Sequence, residues 1–336
     1  MNETPAPAPV ARRKKSRFRR SLERGVTRAV SGASAMLVRV LPLSALRRLA
    51  DGTAWLIRKL APSRQRVAMD SMRRVFGAHY SEREYCALAA EVTRGICRTM
   101  VELLKSPYLS PEQRGWLVQA SGLEHMREAL AQGRGVILLT AHFGNWELMG
   151  PLLTSQGWPV SVVARDSGEA FTASLINRAR EAHGLEVLER EDPRGMLRAL
   201  RAGRILAILP DQHAAGGGIV VDFLGRPAST AVGVATLAAR TGALVVPGFC
   251  SRRPDGTFDA VFYPALELVN TGDREADVRA NTILANRAIE EQILADPAQW
   301  LWLHRRWKVD HLSAETPTPM SAGAPEGGPP ITPAEE

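Results

Sequence analysis

The chain has 336 residues, of which 45% are hydrophobic and 23% charged, with a formal net charge of +8. Such a length and balance bury a substantial core without disulfide or metal staples, and exclude a wholly disordered or fibrous chain. Its 3 cysteines, Cys86, Cys97 and Cys250, form no Cys-x-x-Cys pair, so they read as buried thiols of a reducing compartment.

Part of the positive charge is gathered near the start, where Arg12, Arg13, Lys14, Lys15, Arg17, Arg19 and Arg20 follow a Pro/Ala-rich opening. Residues 1–20 are expected to be a disordered basic tail. Such a block suits nucleic acid, an anionic membrane surface or plain solvent. The next segment favours the membrane. Residues 29–46 are apolar but for interruptions at Arg39 and Pro42, and Leu43, Leu46, Leu49, Leu56 and Leu60 then recur at helical spacing among Arg47, Arg48, Arg58 and Lys59. Residues 21–60 are therefore expected to be membrane-anchoring helices. A full crossing needs about 20 apolar residues, which Arg39 and Pro42 interrupt. No small-residue cleavage site of a secretory signal follows.

Ser81-Glu-Arg-Glu84 fits a capping box, opening a helix with Tyr85, Leu88, Val92, Ile96 and Leu103 along one face. Short apolar runs of buried-strand type then occur at 136–139, 160–163, 205–209 and 244–246. Helical stretches near 171–183, 194–202 and 231–241 separate them, each ending near a glycine. This alternation predicts an α/β fold with a largely parallel sheet flanked by helices. Pro254-Asp-Gly256 turns the chain into a further strand at 258–263, and a helix near 273–295 leads to a tryptophan-rich segment. The main domain is expected to span residues 61–311. From 312 onward apolar periodicity stops, and a second disordered tail is expected.

His142 follows the strand ending at Thr140, and Glu147 falls in the first turn of the next helix. On one continuous helix, five steps of about 100° would set the two side chains some 140° apart. They can interact only if His142 sits in the turn before the helix, with Gly144 easing the bend. That location is the carboxyl end of a strand, where α/β sheets place their sites. A carboxylate there orients the ring and favours its protonated form. The plain alternative is a loop histidine beside a carboxylate that complements a helix N-terminus.

Read together, Gly135-Val-Ile-Leu-Leu-Thr-Ala-His-Phe-Gly-Asn-Trp-Glu147, Asp211-Gln212, Phe223-Leu-Gly-Arg-Pro-Ala-Ser-Thr230 and Gln299-Trp-Leu-Trp-Leu-His-Arg-Arg-Trp-Lys308 resemble the late acyltransferases of lipid A biosynthesis. These lie within the wider glycerolipid acyltransferase group. The resemblance is ordered and spans residues 35–310. Phe223-Leu-Gly225 replaces the commoner Phe-Phe-Gly, and Asp70-Ser-Met72 stands where the family usually has an Asn-Leu pair.

The resemblance implies a monotopic enzyme on the cytoplasmic face of the inner membrane, with acyl carrier protein as donor partner and a lipid A precursor as acceptor. No cofactor or metal is implied. His142 would be the general base and Glu147 its orienting partner. Phe143, Asn145 and Arg165 would contact substrate, Arg165 by gripping an acceptor phosphate or else forming a surface salt bridge. Asp211 and Gln212 would hydrogen-bond the acceptor or cap a turn, and Thr230 would touch ligand or cap the next helix. Amides near Gly144–Trp146 would steady the oxyanion.

The sequence lacks the Gly-x-Ser-x-Gly elbow of a serine hydrolase and the His-Glu-x-x-His of a zinc peptidase, and Gly216-Gly-Gly218 lacks the pattern of a phosphate loop. The rival readings are an acyltransferase for another lysolipid or glycolipid, an inactive membrane scaffold and a nucleic-acid binder. The last lacks an interleaved basic and aromatic surface pattern.

Overall fold

The computed structural model describes residues 36–164 and 170–309. Both expected tails and Arg165 fall outside them. The chain divides into two units after Leu41, and residues 36–40 of the first are helical.

The second unit begins with helices α1 (Leu43–Leu60), α2 (Pro62–Phe76) and α3 (Glu82–Lys105). Pro62 opens α2 at a position where a missing N–H costs nothing. Ser81 and Glu84 form the reciprocal capping box read from the sequence, and Tyr85, Leu88, Val92 and Leu103 are buried along α3. Helix α1 packs on α3 through Leu46, Ala50 and Ala54, so it belongs to the same body as the sheet. Burying a leucine at such a contact contributes about 1.5–3 kcal/mol. The other side of α1 exposes Leu49, Trp55, Leu56 and Leu60, and Lys59 lies 6.0 Å from the Trp55 ring. No helix among the described residues is long and apolar enough to cross a membrane.

A short helix α4 (Pro111–Leu117) then leads into the main sheet. Its seven strands are β1 (Val118–Ser121), β2 (Val136–Leu139), β3 (Val160–Ala164), β4 (Glu186–Glu189), β5 (Ile205–Ile208), β8 (Leu244–Arg252) and β9 (Phe258–Phe262). The order is β1-β9-β8-β2-β5-β3-β4. All neighbours run parallel except β8 and β9, so β1 and β9 oppose the other five. Strand residues alternate between two apolar layers: Ile137 and Leu139 face one, Val136 and Leu138 the other.

Helices α5 (Leu123–Ala131), α6 (Met149–Ser155), α7 (Ala170–Ala182), α8 (Pro193–Arg201), α9 (Gly233–Thr241) and α10 (Arg274–Ala295) complete the unit. Met149 and Leu153, on the connection leaving β2, pack in one layer, whereas Val234 and Leu237, on the connection leaving the adjacent β5, pack in the other. Neighbouring strands whose connections leave to opposite faces open a crevice at their carboxyl ends, which is where α/β sheets bind ligands.

A separate hairpin pairs β6 (Gly218–Phe223) with β7 (Arg226–Ala231). Its two turn residues, Leu224 and Gly225, both have positive φ, as a type I′ turn requires. Leucine is an unusual choice there. Its backbone N–H is held by the Glu290 carboxylate at 3.1 Å and its side chain is buried. Trp300, Trp302 and Trp307 form an interlocked aromatic core against Phe223. Cys86 departs from the expected burial: it is exposed on α3, Cys97 is half-buried and Cys250 is buried.

Candidate active site

His142 stands at the carboxyl edge of the sheet, in the turn after β2, as its position in the sequence predicts. Gly144, at φ 56°, reverses the chain there, and the short 3-10 turn Trp146–Leu148 follows. A Cβ on Gly144 would overlap the Cys250 carbonyl oxygen. Gly144→Ala is accordingly expected to lower stability by about 1–3 kcal/mol, measured as a fall in thermal midpoint together with lost activity.

The ring's partner is Asp211, not Glu147. His142 Nδ1 lies 2.9 Å from Asp211 Oδ1, and the His142 backbone N–H donates to Asp211 Oδ2 at 3.0 Å. Trp300 Nε1 donates to the same Oδ2 at 2.9 Å. The sheet register explains this meeting. Leu139 lies opposite Ile208, so three residues further along each strand the chain brings His142 beside Asp211. The side chains are 23% and 1% exposed, so the carboxylate is enclosed while the imidazole keeps an open edge.

Burial would by itself raise the Asp211 pKa, but the neighbouring imidazole and the bonds from His142 and Trp300 hold it down to about 2. Burial likewise works to lower the His142 pKa. The charge and hydrogen bond of Asp211, with the charge of Glu147, outweigh it and leave the imidazole above its ordinary value. A charged Asp211 accepting from Nδ1–H leaves the lone pair on Nε2. Gln212 Nε2 sits 3.3 Å from that atom, where its amide donates to the lone pair of the neutral ring.

Glu147 is instead gripped by Arg180, whose Nε and NH2 lie 3.0 and 2.7 Å from its carboxylate oxygens. Trp146 Nε1 donates to Glu147 at 3.1 Å, and the Trp146 ring meets the His142 ring edge-on. The pair therefore lines the site without touching the imidazole as its hydrogen-bond partner. Glu147→Gln leaves Arg180 uncompensated beside His142, which lowers the imidazole pKa. The expected result is a loss of about 10- to 100-fold in turnover from misplacement, with the acid limb of the pH–rate profile moved to lower pH.

Three other expected contacts are corrected by burial. Phe143 is 2% exposed and packs edge-on against Phe249 in the core. Asn145 is 0% exposed and donates to Glu102, away from the cavity. Thr230 accepts a hydrogen bond from the buried Arg306 and caps no helix, since α9 begins after Val232 without a side-chain cap. The Gly144 and Asn145 amides are also committed, to Gln299 and Cys250 carbonyls, and so are not free to hold an oxyanion.

In front of His142 lies a cavity of about 800 Å³, within the range of ligand pockets. His142, Glu147, Arg180 and Gln212 form its polar part. Its apolar lining draws on both layers of the fold: Leu138, Met149 and Leu185 from one, Met196, Leu197 and Leu237 from the other. No cluster of metal-ligating side chains occurs among the described residues. The arrangement offers an oriented imidazole, an amide donor and a roomy, largely apolar receptacle, which together suit transfer chemistry on a lipid.

The chain matches the family model described as bacterial lipid A biosynthesis acyltransferase over residues 13–309. It is 31% identical over 301 residues to a phosphatidylinositol mannoside acyltransferase of Mycobacterium tuberculosis, covering 87% of this chain and 92% of that protein. It is 26% identical over 276 residues to the lipid A biosynthesis lauroyltransferase of Escherichia coli, covering 81% and 88%. A lipid A biosynthesis palmitoleoyltransferase of the same organism is 26% identical over 80% of this chain and 87% of its own length.

Proposed function

From the premise that the chain belongs to the bacterial lipid A biosynthesis acyltransferase family, we propose that it transfers a fatty acyl chain from acyl carrier protein to a hydroxyl of a lipid A precursor, with His142 as general base. The observation that carries the mechanism is the His142–Asp211 pair at the mouth of an apolar cavity. Nε2 takes the acceptor hydroxyl's proton as that oxygen attacks the thioester carbonyl. The developing imidazolium is stabilised by Asp211. Gln212, displaced from Nε2 by the acceptor, turns its amide toward the carbonyl oxygen. The tetrahedral intermediate then collapses, the carrier thiolate leaves and takes the proton, and an ester remains. Arg165 stays our candidate for an acceptor phosphate, where a planar guanidinium binds in a bidentate way.

A second reading has a specific observation in its favour. The mannoside acyltransferase relative is more similar than the lauroyltransferase, at 31% against 26% identity. An acceptor built on a phospholipid-linked sugar is therefore the alternative. Purified protein given acyl carrier protein loaded with a labelled acyl chain separates the two when a lipid A precursor and a phosphatidylinositol mannoside are offered in parallel. Esterification of the first supports the proposal. Esterification of the mannoside alone replaces it with the second reading.

The site acts on lipid from the cytoplasmic face of the inner membrane, and the exposed apolar side of α1 is the part of the main unit suited to that surface. Replacing Leu49, Leu56 and Leu60 together by serine is expected to cut retention on anionic vesicles about tenfold or more. Unchanged sedimentation with vesicles would remove α1 from the contact.

A further inference from the structure

The Glu102 carboxylate lies outside the cavity yet is bound to the segment that carries the base. Glu102 and Asn145 are each 0% exposed. Glu102 Oε2 accepts from Asn145 Nδ2 at 2.8 Å and from Arg252 NH2 at 2.8 Å, while Oε1 accepts from Arg47 Nε at 2.7 Å and Arg252 NH1 at 2.5 Å. One carboxylate on α3 thus joins three other parts of the fold: α1 through Arg47, β8 through Arg252 and the catalytic turn through Asn145. The Asn145 Oδ1 atom is buried without a hydrogen-bond partner, so Glu102 is the anchor of that side chain. Arg47 also reaches the Gly256 carbonyl at 2.7 Å, from the side of α1 opposite Leu49, Leu56 and Leu60.

We propose that Glu102 is a positioning residue for the transfer reaction, holding the turn that bears His142 by way of Asn145. Buried ion pairs stabilise poorly compared with apolar packing of equal volume, and their best-attested use is to fix one arrangement over others. Here the fixed arrangement is the turn from His142 to Trp146. Its main chain is tied to Asp211, Gln299, Cys250 and the Thr99 hydroxyl, and Glu102 ties down the Asn145 side chain. Without the carboxylate, two guanidiniums face each other across the space it held, and Asn145 loses its anchor. The turn then shifts, and the His142–Asp211 register loosens. Misplacement of a base by about 1 Å costs on the order of 100-fold in rate.

The test uses the full chain carrying Glu102→Gln, Glu102→Asp, Asn145→Ser and the Gln/Ser double variant. Two quantities are read: the His142 imidazole titration by NMR, and kcat with KM for both substrates. For Glu102→Gln the imidazole midpoint should fall toward its ordinary value. Its kcat should fall by about tenfold or more with KM changed by less than about twofold. Glu102→Asp should recover part of both. The double variant should be little worse than Glu102→Gln alone, because the two residues act in series. A Glu102→Gln protein that only melts earlier, with titration and kcat like wild type, overturns the proposal, as do multiplying losses in the double variant. If Glu102→Gln does not fold, Asn145→Ser decides, since it leaves both arginines paired; an unshifted imidazole there is equally fatal. The kinetic arm rests on the proposed acyl transfer. The titration arm does not, so a wild-type protein inactive on every acceptor would defeat that function and leave the positioning role to be judged by the imidazole.

Discussion

His142→Ala is expected to lower acyl transfer by about 10²- to 10⁴-fold, the range a positioned general base contributes, with the fold intact. The side chain keeps an open edge to the cavity, and the main-chain bonds that anchor its turn do not involve the ring. Asp211 would still accept from Trp300 and from the residue 142 backbone N–H, so no unpaired buried carboxylate results. A cooperative thermal transition with only a modestly lowered midpoint, and transfer lost, is the expected pair of measurements. Wild-type-like turnover would remove His142 from the chemistry altogether.

Asp211→Asn is expected to be at least as severe, about 10³- to 10⁴-fold, as when a catalytic histidine is held in its wrong tautomer. Two donors, the His142 backbone N–H and Trp300 Nε1, converge on one Asp211 oxygen. Asparagine must keep its carbonyl oxygen there, which turns its amide N–H₂ toward His142 Nδ1. The ring must then accept at Nδ1 and carry its proton on Nε2, so no lone pair faces the acceptor. Asp211→Ala should be less uniform in its effect, since the ring is then free to sample both tautomers. Equal activity of Asp211→Asn and wild type would contradict the assignment of Asp211 as the orienting group.

The strands at 136–139, 160–164 and 205–208 are readable because each is a compact apolar run, the strand at 258–262 because the Pro254-Asp-Gly256 turn precedes it, and α3 because its capping box and apolar face agree. Strand β1 was missed: Val118-Gln-Ala-Ser121 is mostly exposed and lies at the sheet edge, with no apolar pattern to betray it. The β6–β7 hairpin was missed because its turn is Leu224-Gly225 rather than Asn-Gly. In the site, the place of His142 followed from its strand, but its partner did not. Asp211 is 69 residues away, and only the adjacency of β2 and β5, which are not consecutive, aligns them. Glu147 is nearer in sequence, which makes it the partner that spacing alone predicts. Arg180, which occupies it, reads locally as an ordinary cation in the last turn of a helix.

The same ion pair also governs stability with pH. Asp211, lowered from 3.8 to about 2, contributes stability that is present above 3.8 and lost as pH falls through about 2. His142, raised above 6.5, contributes stability that is full below 6.5 and lost as pH rises through its folded value. These are two views of one interaction, and the pair holds best between those limits.

The most direct test of the central claim is the pH dependence of kcat/KM for the acceptor in wild type and in Asp211→Asn. The base must be neutral to work, so wild-type activity should climb with pH through a midpoint above 6.5. Without the carboxylate, burial dominates, and the midpoint of the residual activity should fall below that of wild type. A rising limb with the same midpoint in both proteins would mean that the titrating group is not an imidazole held by Asp211, and would contradict the mechanism.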